Sequence, residues 1–401
     1  MPLSLYKAWE RLTSVEITTR PEKVSIENAN GRICCSTIYA ASDSPPFNQS
    51  RFDGFALGEI AGERYQIVGD MVITAGVSPS VKLSPGQAIR IMTGAPLPDG
   101  TTHVVPSESC RIDNQGFLYV QDLPSPEMSI LRKGANFLKG HPYLKRGEKI
   151  NPFHISFLAL DGKEDVTVFS LPLITILSLG DELEEIGKEV LEHGKIRNSH
   201  PFLLSAILRS CGIVADTFQV EDEPKKVHKR LADILSSPTQ LLITTGGMGK
   251  GVKDITRKTL RKAGALPLFE GVQAFPIGTF SCYLWHNKVI FALPGGQVGV
   301  ALIAKLFIQP FLLKMQGAKR VEFFSPLYQA RFKKEKGDFT QESGKSKTIK
   351  FFKAKTWFEG GNFHVKRLSS RSLTEMNSFI VSGVKENKKN SVNVFPLWDG
   401  K

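Results

Sequence analysis

Residues 241–260 read LLITTGGMGKGVKDITRKTL: an apolar run that breaks at Gly246-Gly247 and continues through Gly249 and Gly251 into apolar residues at helical spacing. This pattern predicts a buried strand, a glycine turn and a helix. Glycines let the backbone approach a ligand closely, and the first N–H groups of a helix attract an anion. Because the turn has neither the dinucleotide nor the Walker spacing, a purely structural turn stands as the alternative to a phosphate site.

On both sides of this turn, from Val166 to about residue 318, strand-like apolar runs alternate with amphipathic segments. Such alternation predicts a three-layer α/β domain with a largely parallel sheet. Ligands bind beyond the carboxyl ends of the strands in sheets of this kind. Three polar turns follow apolar runs here, namely Gly180-Asp181-Glu182, the glycine turn after Thr245, and Pro294-Gly295-Gly296. We expect the three turns to line one crevice.

The rest of the chain predicts further units, so that the protein is an α/β multidomain chain. Residues 1–45 and 127–165 form one discontinuous unit, with a helix near the N-terminus and a strand-like run, GRICCSTIYA. Residues 46–126 alternate short apolar runs with turns, which predicts an inserted β domain. After the α/β domain at 166–318, residues 319–401 contain only strand-like pieces, which predicts a small β-barrel or sandwich.

Composition and charge narrow the class of protein. The 401 residues are 41% hydrophobic, and 52 basic against 39 acidic residues give a net charge of +13. The excess lies toward the C-terminus in lysine-rich stretches typical of guarded strand edges, and no nucleic-acid module accompanies it, so a nucleic-acid partner is not expected. We see no run of about 18 apolar residues and no signal segment, which predicts a cytoplasmic protein without a membrane partner. The five cysteines are scattered and lack metal-binding spacing, which predicts reduced thiols.

The polar groups of the three turns suggest a metal-assisted anion site. Asp181 and Glu182 directly follow a buried strand, and Asp254 lies just beyond the glycine turn. Mg²⁺ takes one or two carboxylates together with phosphate oxygens and water, so it reconciles carboxylates with an anion in one crevice. The alternative is that Asp181 and Asp254 cap the helices that follow them.

Six motifs carry a resemblance to a known family: SRFDGFAL, RIMTGAPLPDG, ITILSLGDEL, GKIRNSH, ITTGGMGKGVKD and FALPGGQVGVALIAKLFIQPFLLKMQG. In this order and at these separations they resemble the MoeA family of molybdopterin molybdotransferases, which includes the gephyrin E domain. The resemblance covers nearly the whole chain. It implies four domains, which are an elongated discontinuous domain, the inserted β domain, a MogA-like molybdopterin-binding α/β domain and a C-terminal β-barrel domain.

The same resemblance implies an activity. It is the Mg²⁺-dependent insertion of molybdate into adenylylated molybdopterin with release of AMP, a step of molybdenum cofactor biosynthesis carried out by a homodimer. A MogA-like molybdopterin adenylyltransferase would be the upstream partner, and molybdoenzymes would receive the product. The matching positions imply Asp53, Thr93, Asp181 and Asp254 as catalytic, with Asp181 and Asp254 as metal ligands. They also imply a set of cofactor-binding residues, which are Ser50, Ser178, Gly180, Glu182, Gly246, Gly247, Gly251, Pro294 and Gly295.

Several positions depart from the family pattern. Phe275 and Gly278 stand where the family has two lysines, and Gly296, Gln297 and Gly299 replace an Asn, a Pro and a Ser. Losing such donors weakens oxyanion binding by about 2 kcal/mol per charged hydrogen bond. This keeps open a second hypothesis, a catalytically reduced MoeA-like paralogue that serves as a pterin- or nucleotide-binding or interaction scaffold. Three more departures are Gly249 for Ser, Val252 for an acid and Asn136 for an acid, and Lys250 and Lys253 are candidates to compensate.

Overall fold

The computed structural model describes residues 1–248, 255–321, 328–332, 348–359, 362–368, 373–382 and 391–397. Gly251 and Asp254, both expected at the site, lie outside the described residues, as do Lys250 and Lys253. The predicted compensation by the two lysines therefore stays a prediction.

The central sheet has six strands. The first four strands run parallel to one another, and of the last two only Ser281–Trp285 runs against the others, so the sheet is largely parallel, as predicted. Ile174–Leu179 is buried at every position, which explains why its sequence is largely apolar rather than alternating, with only the small hydroxyl residues Thr175 and Ser178 interrupting it. In spatial order the strands are Ala215–Val220, Ile174–Leu179, Leu241–Thr245, Lys288–Leu293, Ser281–Trp285 and Leu266–Glu270.

Helices cover both faces of the central sheet, which confirms the predicted three layers. One face packs against Leu5–Thr13, His200–Arg209 and the helical segment Gln297–Met315. The other face packs against Pro224–Ser236 and Ile255–Lys262. The first helix is tied to this unit by the Leu3 N–H, which donates to the Gly271 carbonyl at 3.1 Å. The domain limits given above stay a prediction.

The segment Gln297–Met315 is helical throughout. It consists of two α-helices, Gln297–Ile303 and Gln309–Met315, joined by a π-helical stretch, Ala304–Ile308. Because Pro310 lacks an N–H, it cannot donate to the Leu306 carbonyl as an α-helix requires, and the hydrogen-bond register changes just before it. Among the described residues, this segment alone is long and apolar enough to cross a membrane by length and composition, and 67% of its window is buried in the fold. The expectation of no such run is corrected; its burial is that of a core helix.

A second six-stranded sheet forms the inserted β unit, as predicted. Its core is made by residues such as Ala56, Ile89 and Val104. In spatial order its strands are His103–Pro106, Gly54–Leu57, Gln87–Ile91, Tyr65–Ile67, Phe117–Val120 and Cys110–Ile112.

Short strand pairs, short helices and 3-10 turns make up the structure outside the three large sheets. The predicted strand GRICCSTIYA is wrong for most of its length, because only Ile38–Tyr39 is a strand while Ile33 and Cys34 make single bridges to different partners, Lys149 and Val168. The strand pairs are Pro21–Ser25 with Asp165–Phe169, Gln49–Ser50 with Ile130–Leu131, Ile38–Tyr39 with Pro142–Leu144, and Leu183–Glu184 with Ile196–Arg197. The helices are Pro126–Ser129 and Pro152–Leu160, with short 3-10 turns at Ile26–Asn28, Ser107–Ser109 and Leu373–Glu375.

The C-terminal strands close into a barrel. Ile349–Glu359 pairs with Asn362–Arg367 on one side and with Ser378–Ser382 on the other, which completes a ring of five strands. Ala354, Val365 and Ile380 fill its interior. The ring also contains Tyr328–Phe332 and Ser391–Pro396. Ala274–Phe275 from the α/β unit pairs in parallel with the first two residues of Ile349–Glu359.

Candidate functional site

The three polar turns lie at one edge of the central sheet. Gly180, Gly246 and Pro294 each follow the carboxyl end of a strand, and those three strands are adjacent and parallel. The buried Ser178 and Thr245 lie in register next to these turns, and the Thr245 hydroxyl donates to the Ser178 hydroxyl at 3.3 Å. The structure therefore brings together the three turns that were expected to line one crevice.

The glycine turn is fixed by close packing. Gly246 has φ +87°, and a Cβ there would lie 2.1 Å from the Leu179 carbonyl oxygen. Gly247 has φ +61°, and its Cβ would lie 2.4 Å from Thr256 Oγ1. The Thr256 hydroxyl donates to the Gly246 carbonyl at 3.2 Å. Only glycine satisfies both the backbone angle and this close approach.

Asp181 is held by the neighbouring loops rather than by a helix. The segment after it continues into the short strand Leu183–Glu184, so the alternative that Asp181 caps a following helix is wrong. Its Oδ1 accepts a hydrogen bond from the Asp222 N–H at 2.9 Å, and its carbonyl oxygen accepts one from Lys195 Nζ at 2.6 Å. These groups line a pocket of about 460 Å³, together with Glu182, His193, Gly194 and Ile255.

The donor chemistry of this pocket fits Mg²⁺. Asp181 Oδ2 and the Glu182 carboxylate have no hydrogen-bond partner among the described residues, and both side chains are exposed. Carboxylate oxygens that are not otherwise bonded are the ligands that Mg²⁺ prefers. Within the part of the chain that is described, no three His, Cys, Asp or Glu side chains cluster closely enough to form a complete cage. A site with one or two protein carboxylates is consistent with Mg²⁺, which keeps several waters.

A second cluster lies at the edge of the inserted β unit. Asp53 Oδ1 accepts a hydrogen bond from the Thr93 N–H at 2.6 Å, and Ser50 accepts one from the Gly94 N–H through its carbonyl at 2.8 Å. The hydrogen bonds from Thr93, first from its backbone and then from its hydroxyl, lower the pKa of Asp53 below its ordinary value. Ser50 is buried, and its hydroxyl donates to the Phe52 carbonyl at 2.6 Å. Asp53 and Thr93 are thus a bonded, solvent-facing pair.

The positions that depart from the family pattern are sterically open. Phe275 is 58% exposed, and a Cβ at Gly278 would approach no atom closer than 3.7 Å. A Cβ at Gly296 would meet nothing within 4 Å, and one at Gly299 would come no closer than 3.5 Å to its neighbours. Gln297 Nε2 donates to the Ser199 hydroxyl at 2.8 Å. Elsewhere, Asn136 Nδ2 donates to the Ser44 hydroxyl at 3.1 Å.

The expected site residues therefore fall into two clusters carried by different sheets. Ser178, Gly180, Asp181, Glu182, Gly246, Gly247, Pro294 and Gly295 follow or lie within the central sheet, while Ser50, Asp53 and Thr93 belong to the inserted β unit. Sequence reasoning missed Lys195 and Asp222 as partners of Asp181. Lys195 lies in the GKIRNSH motif, and its charge beside a site motif was the one available signal.

Comparison with known proteins agrees with this architecture. Residues 3–162 match the family model of the MoeA N-terminal region (domain I and II), and residues 175–314 match that of a probable molybdopterin binding domain. A protein of Methanocaldococcus jannaschii named for molybdopterin biosynthesis is 32% identical over 301 residues, covering 73% of this chain and 74% of that protein. A molybdopterin molybdenumtransferase of Haemophilus influenzae is 28% identical over 318 residues, covering 77% and 76%.

The fold has a solved counterpart as well. A crystal structure of a molybdopterin biosynthesis MoeA protein from Pyrococcus horikoshii OT3 matches with a TM-score of 0.78 and 22% identity, covering 99% of this chain and 100% of that chain. This likeness concerns the fold, whereas the M. jannaschii relative and the two family models place the sequence. The chain belongs to the MoeA family.

Proposed function

We propose that this protein is a molybdopterin molybdotransferase of molybdenum cofactor biosynthesis, which inserts molybdate into adenylylated molybdopterin and releases AMP. Relatives named molybdopterin molybdenumtransferase support the activity. The observation that carries the proposal is the alignment of three turns at the carboxyl edge of adjacent parallel strands, where Asp181 and Glu182 face a pocket with oxygens left to bind a cation.

In this proposal Asp181 holds Mg²⁺, and Asp254, which lies outside the described residues, is the second ligand. The ion would supply positive charge next to the adenylate phosphates, where negative charge develops on the leaving AMP. The Gly246-Gly247 turn presents backbone close to the ligand, because no side chain stands in the way. The Asp222 N–H donates to Asp181 Oδ1, so Oδ2 is the oxygen that would be available to hold the cation.

The remaining functional assignments also belong to the proposal. Asp53 and Thr93 contribute from the inserted β unit, and in a homodimer the cluster they form would face the crevice of the other subunit. A MogA-like adenylyltransferase supplies the substrate, and molybdoenzymes receive the product. Molybdate is a substrate here, not a resident cofactor. The protein works in the cytoplasm.

The test is a turnover assay with purified protein, adenylylated molybdopterin, Mg²⁺ and molybdate, in which AMP release and pterin-bound molybdenum are both followed. Asp181→Asn keeps an acceptor for the Asp222 N–H but removes the charge, so we expect AMP release to fall by about 100-fold. Glu185→Gln, which changes an exposed acid in the same loop, is the control and should leave the rate within about twofold.

Molybdate-dependent AMP release that survives Asp181→Asn would remove this residue from the mechanism. If the wild-type protein binds the adenylylated pterin but releases no AMP over a wide range of molybdate, the transferase proposal fails. The binding-scaffold hypothesis raised by the substitutions at Phe275 and Gly278 would then be preferred.

A further inference from the structure

The loop of residues 183–197 folds back over the Asp181 side of the crevice. Its two ends pair as short parallel strands, Leu183–Glu184 with Ile196–Arg197. The Ile196 N–H donates to the Glu182 carbonyl at 2.7 Å, and the Asn198 N–H donates to the Glu184 carbonyl at 2.9 Å. These backbone bonds close the loop, so the residues just before Ile196 are returned to the pocket.

Lys195 is the cation that this closure places beside Asp181. Its Nζ donates to the Asp181 carbonyl oxygen at 2.6 Å, and its side chain lines the pocket. An ammonium has three N–H donors, and Lys195 Nζ makes no other hydrogen bond or ion pair within the described part of the chain. Because its partner is a neutral carbonyl, its positive charge is not neutralised by this bond.

We propose that Lys195 is the phosphate-binding cation of this crevice, a role that rests on the proposed function and names the group that contacts the nucleotide phosphate. Asp181, Glu182 and Asp222 line the same pocket, so an anion would be repelled without a cation among them. A phosphate oxygen bound to Nζ would lie next to the carboxylate of Asp181. The phosphate would thereby be positioned beside the groups proposed to hold Mg²⁺.

The neighbouring lysine of the loop cannot take this role equally well. Lys188 Nζ forms an ion pair with the Glu184 carboxylate at 2.9 Å. A charge that is already paired attracts an added anion less than one bound only to a carbonyl. Lys188 is not among the residues that line the pocket with Asp181. It is therefore a matched control, because it carries the same charge on the same loop.

The experiment measures the affinity of the full-length protein for AMP and for adenosine by calorimetry in the presence of Mg²⁺. The two ligands differ in the phosphate alone. We expect Lys195→Gln to weaken AMP binding at least about tenfold and to leave adenosine binding within about twofold. Lys195→Arg, which keeps the charge, should retain most of the AMP affinity, and Lys188→Gln should leave both affinities within about twofold.

Unchanged AMP affinity in Lys195→Gln, or an equal loss for AMP and adenosine, overturns the proposal. So does a wild-type protein that binds AMP no more tightly than adenosine. Preserved adenosine binding in the variant shows that the crevice is folded. The turnover assay separates this result from the proposed function: absence of molybdate-dependent AMP release rejects the transferase, whereas the AMP and adenosine comparison alone decides the role of Lys195.

Discussion

Two sets of glycines around the site differ in what the fold requires of them. At Gly54, Gly246 and Gly247, which match the family pattern, a Cβ would lie 1.9, 2.1 and 2.4 Å from a neighbouring oxygen. At Gly278, Gly296 and Gly299, which replace other family residues, a Cβ would come no closer than 3.5 Å to any neighbour. These three matching glycines are fixed by packing, whereas the three departures, like the matching Gly295, lie where an added side chain has room. The departures therefore concern what the crevice binds and not how the chain folds.

The largest expected effect concerns the closely packed glycines, Gly54, Gly246 and Gly247. Gly246→Ala places a methyl group against the Leu179 carbonyl at a backbone angle of φ +87°, so we expect a loss of stability on the order of 3 kcal/mol. Gly295→Ala, in the open turn, should change stability by less than about 0.5 kcal/mol. Urea unfolding of both variants makes the measurement, and similar midpoints would erase the distinction between the two sets.

The positions that depart from the family pattern are tested by restoring the residues that the family has there. The variant Phe275→Lys, Gly278→Lys, Gly296→Asn, Gln297→Pro, Gly299→Ser should lower the molybdate concentration for half-maximal AMP release about tenfold, because charged donors return to an oxyanion site. Gln297 begins a helix, where proline is tolerated. The thermal midpoint should hold within about 3 °C.

The control for added positive charge is Phe358→Lys, which changes another exposed aromatic residue, in the barrel. It should leave the molybdate dependence unaltered. If the restored variant unfolds at a much lower temperature, the open positions are constrained after all, and the comparison would have to be abandoned.

A smaller effect is expected from the hydrogen bond that fastens the packed turn. Thr256→Val keeps the shape of the buried side chain but removes its donor to the Gly246 carbonyl, which should cost about 1 kcal/mol. Thr259→Val, also buried in the same helix, is the control and should cost less. Equal losses in urea unfolding would mean that the turn does not depend on this bond.

The smallest effect concerns the titration of Asp53. Its pKa is lowered from an ordinary 3.8 by the backbone and then the hydroxyl of Thr93. Thr93→Val removes only the hydroxyl, so the pKa of Asp53 should rise toward the ordinary value while the backbone bond keeps it lowered. A lowered pKa contributes stability above the unfolded value that is lost as the pH falls through the folded value. In the variant, the contribution should be smaller and its loss should be complete at a higher pH.

NMR titration of the Asp53 carboxyl carbon measures this shift directly. A pKa that stays the same, or falls, in Thr93→Val would show that the hydroxyl does not bond to the carboxylate in solution. Asp53 would then be held by the Thr93 backbone alone, in contrast to the closely packed glycine turn at Gly246-Gly247.

The sequence predicted the central sheet and its turns because their signals are local. Ile174–Leu179 is largely apolar, as is typical of a strand buried on both faces, and Gly246 directly follows the neighbouring strand, Leu241–Thr245. The five barrel strands were likewise recognisable from short apolar runs. By contrast, the run around Cys34 looked like a strand because alternation does not reveal that consecutive residues bridge to different partners.

The partners within the site depend on chain closure and left little local signal. The Asp222 N–H that binds Asp181 is 41 residues away along the chain, and the Thr93 N–H that binds Asp53 is 40 residues away. Lys195 reaches Asp181 only because the ends of its loop pair. The residue types could be foreseen, but these contacts follow from tertiary structure.

The buried segment Gln297–Met315 has a consequence for how the protein is made. Every strand of the central sheet precedes it in the chain, so the apolar surface it covers has already left the ribosome when this segment emerges. This apolar helix can therefore pack against the sheet as soon as it is synthesised. A chain truncated before residue 297 would leave the part of this face that the segment covers exposed to water, and synthesis that pauses there would leave the same apolar surface open to aggregation.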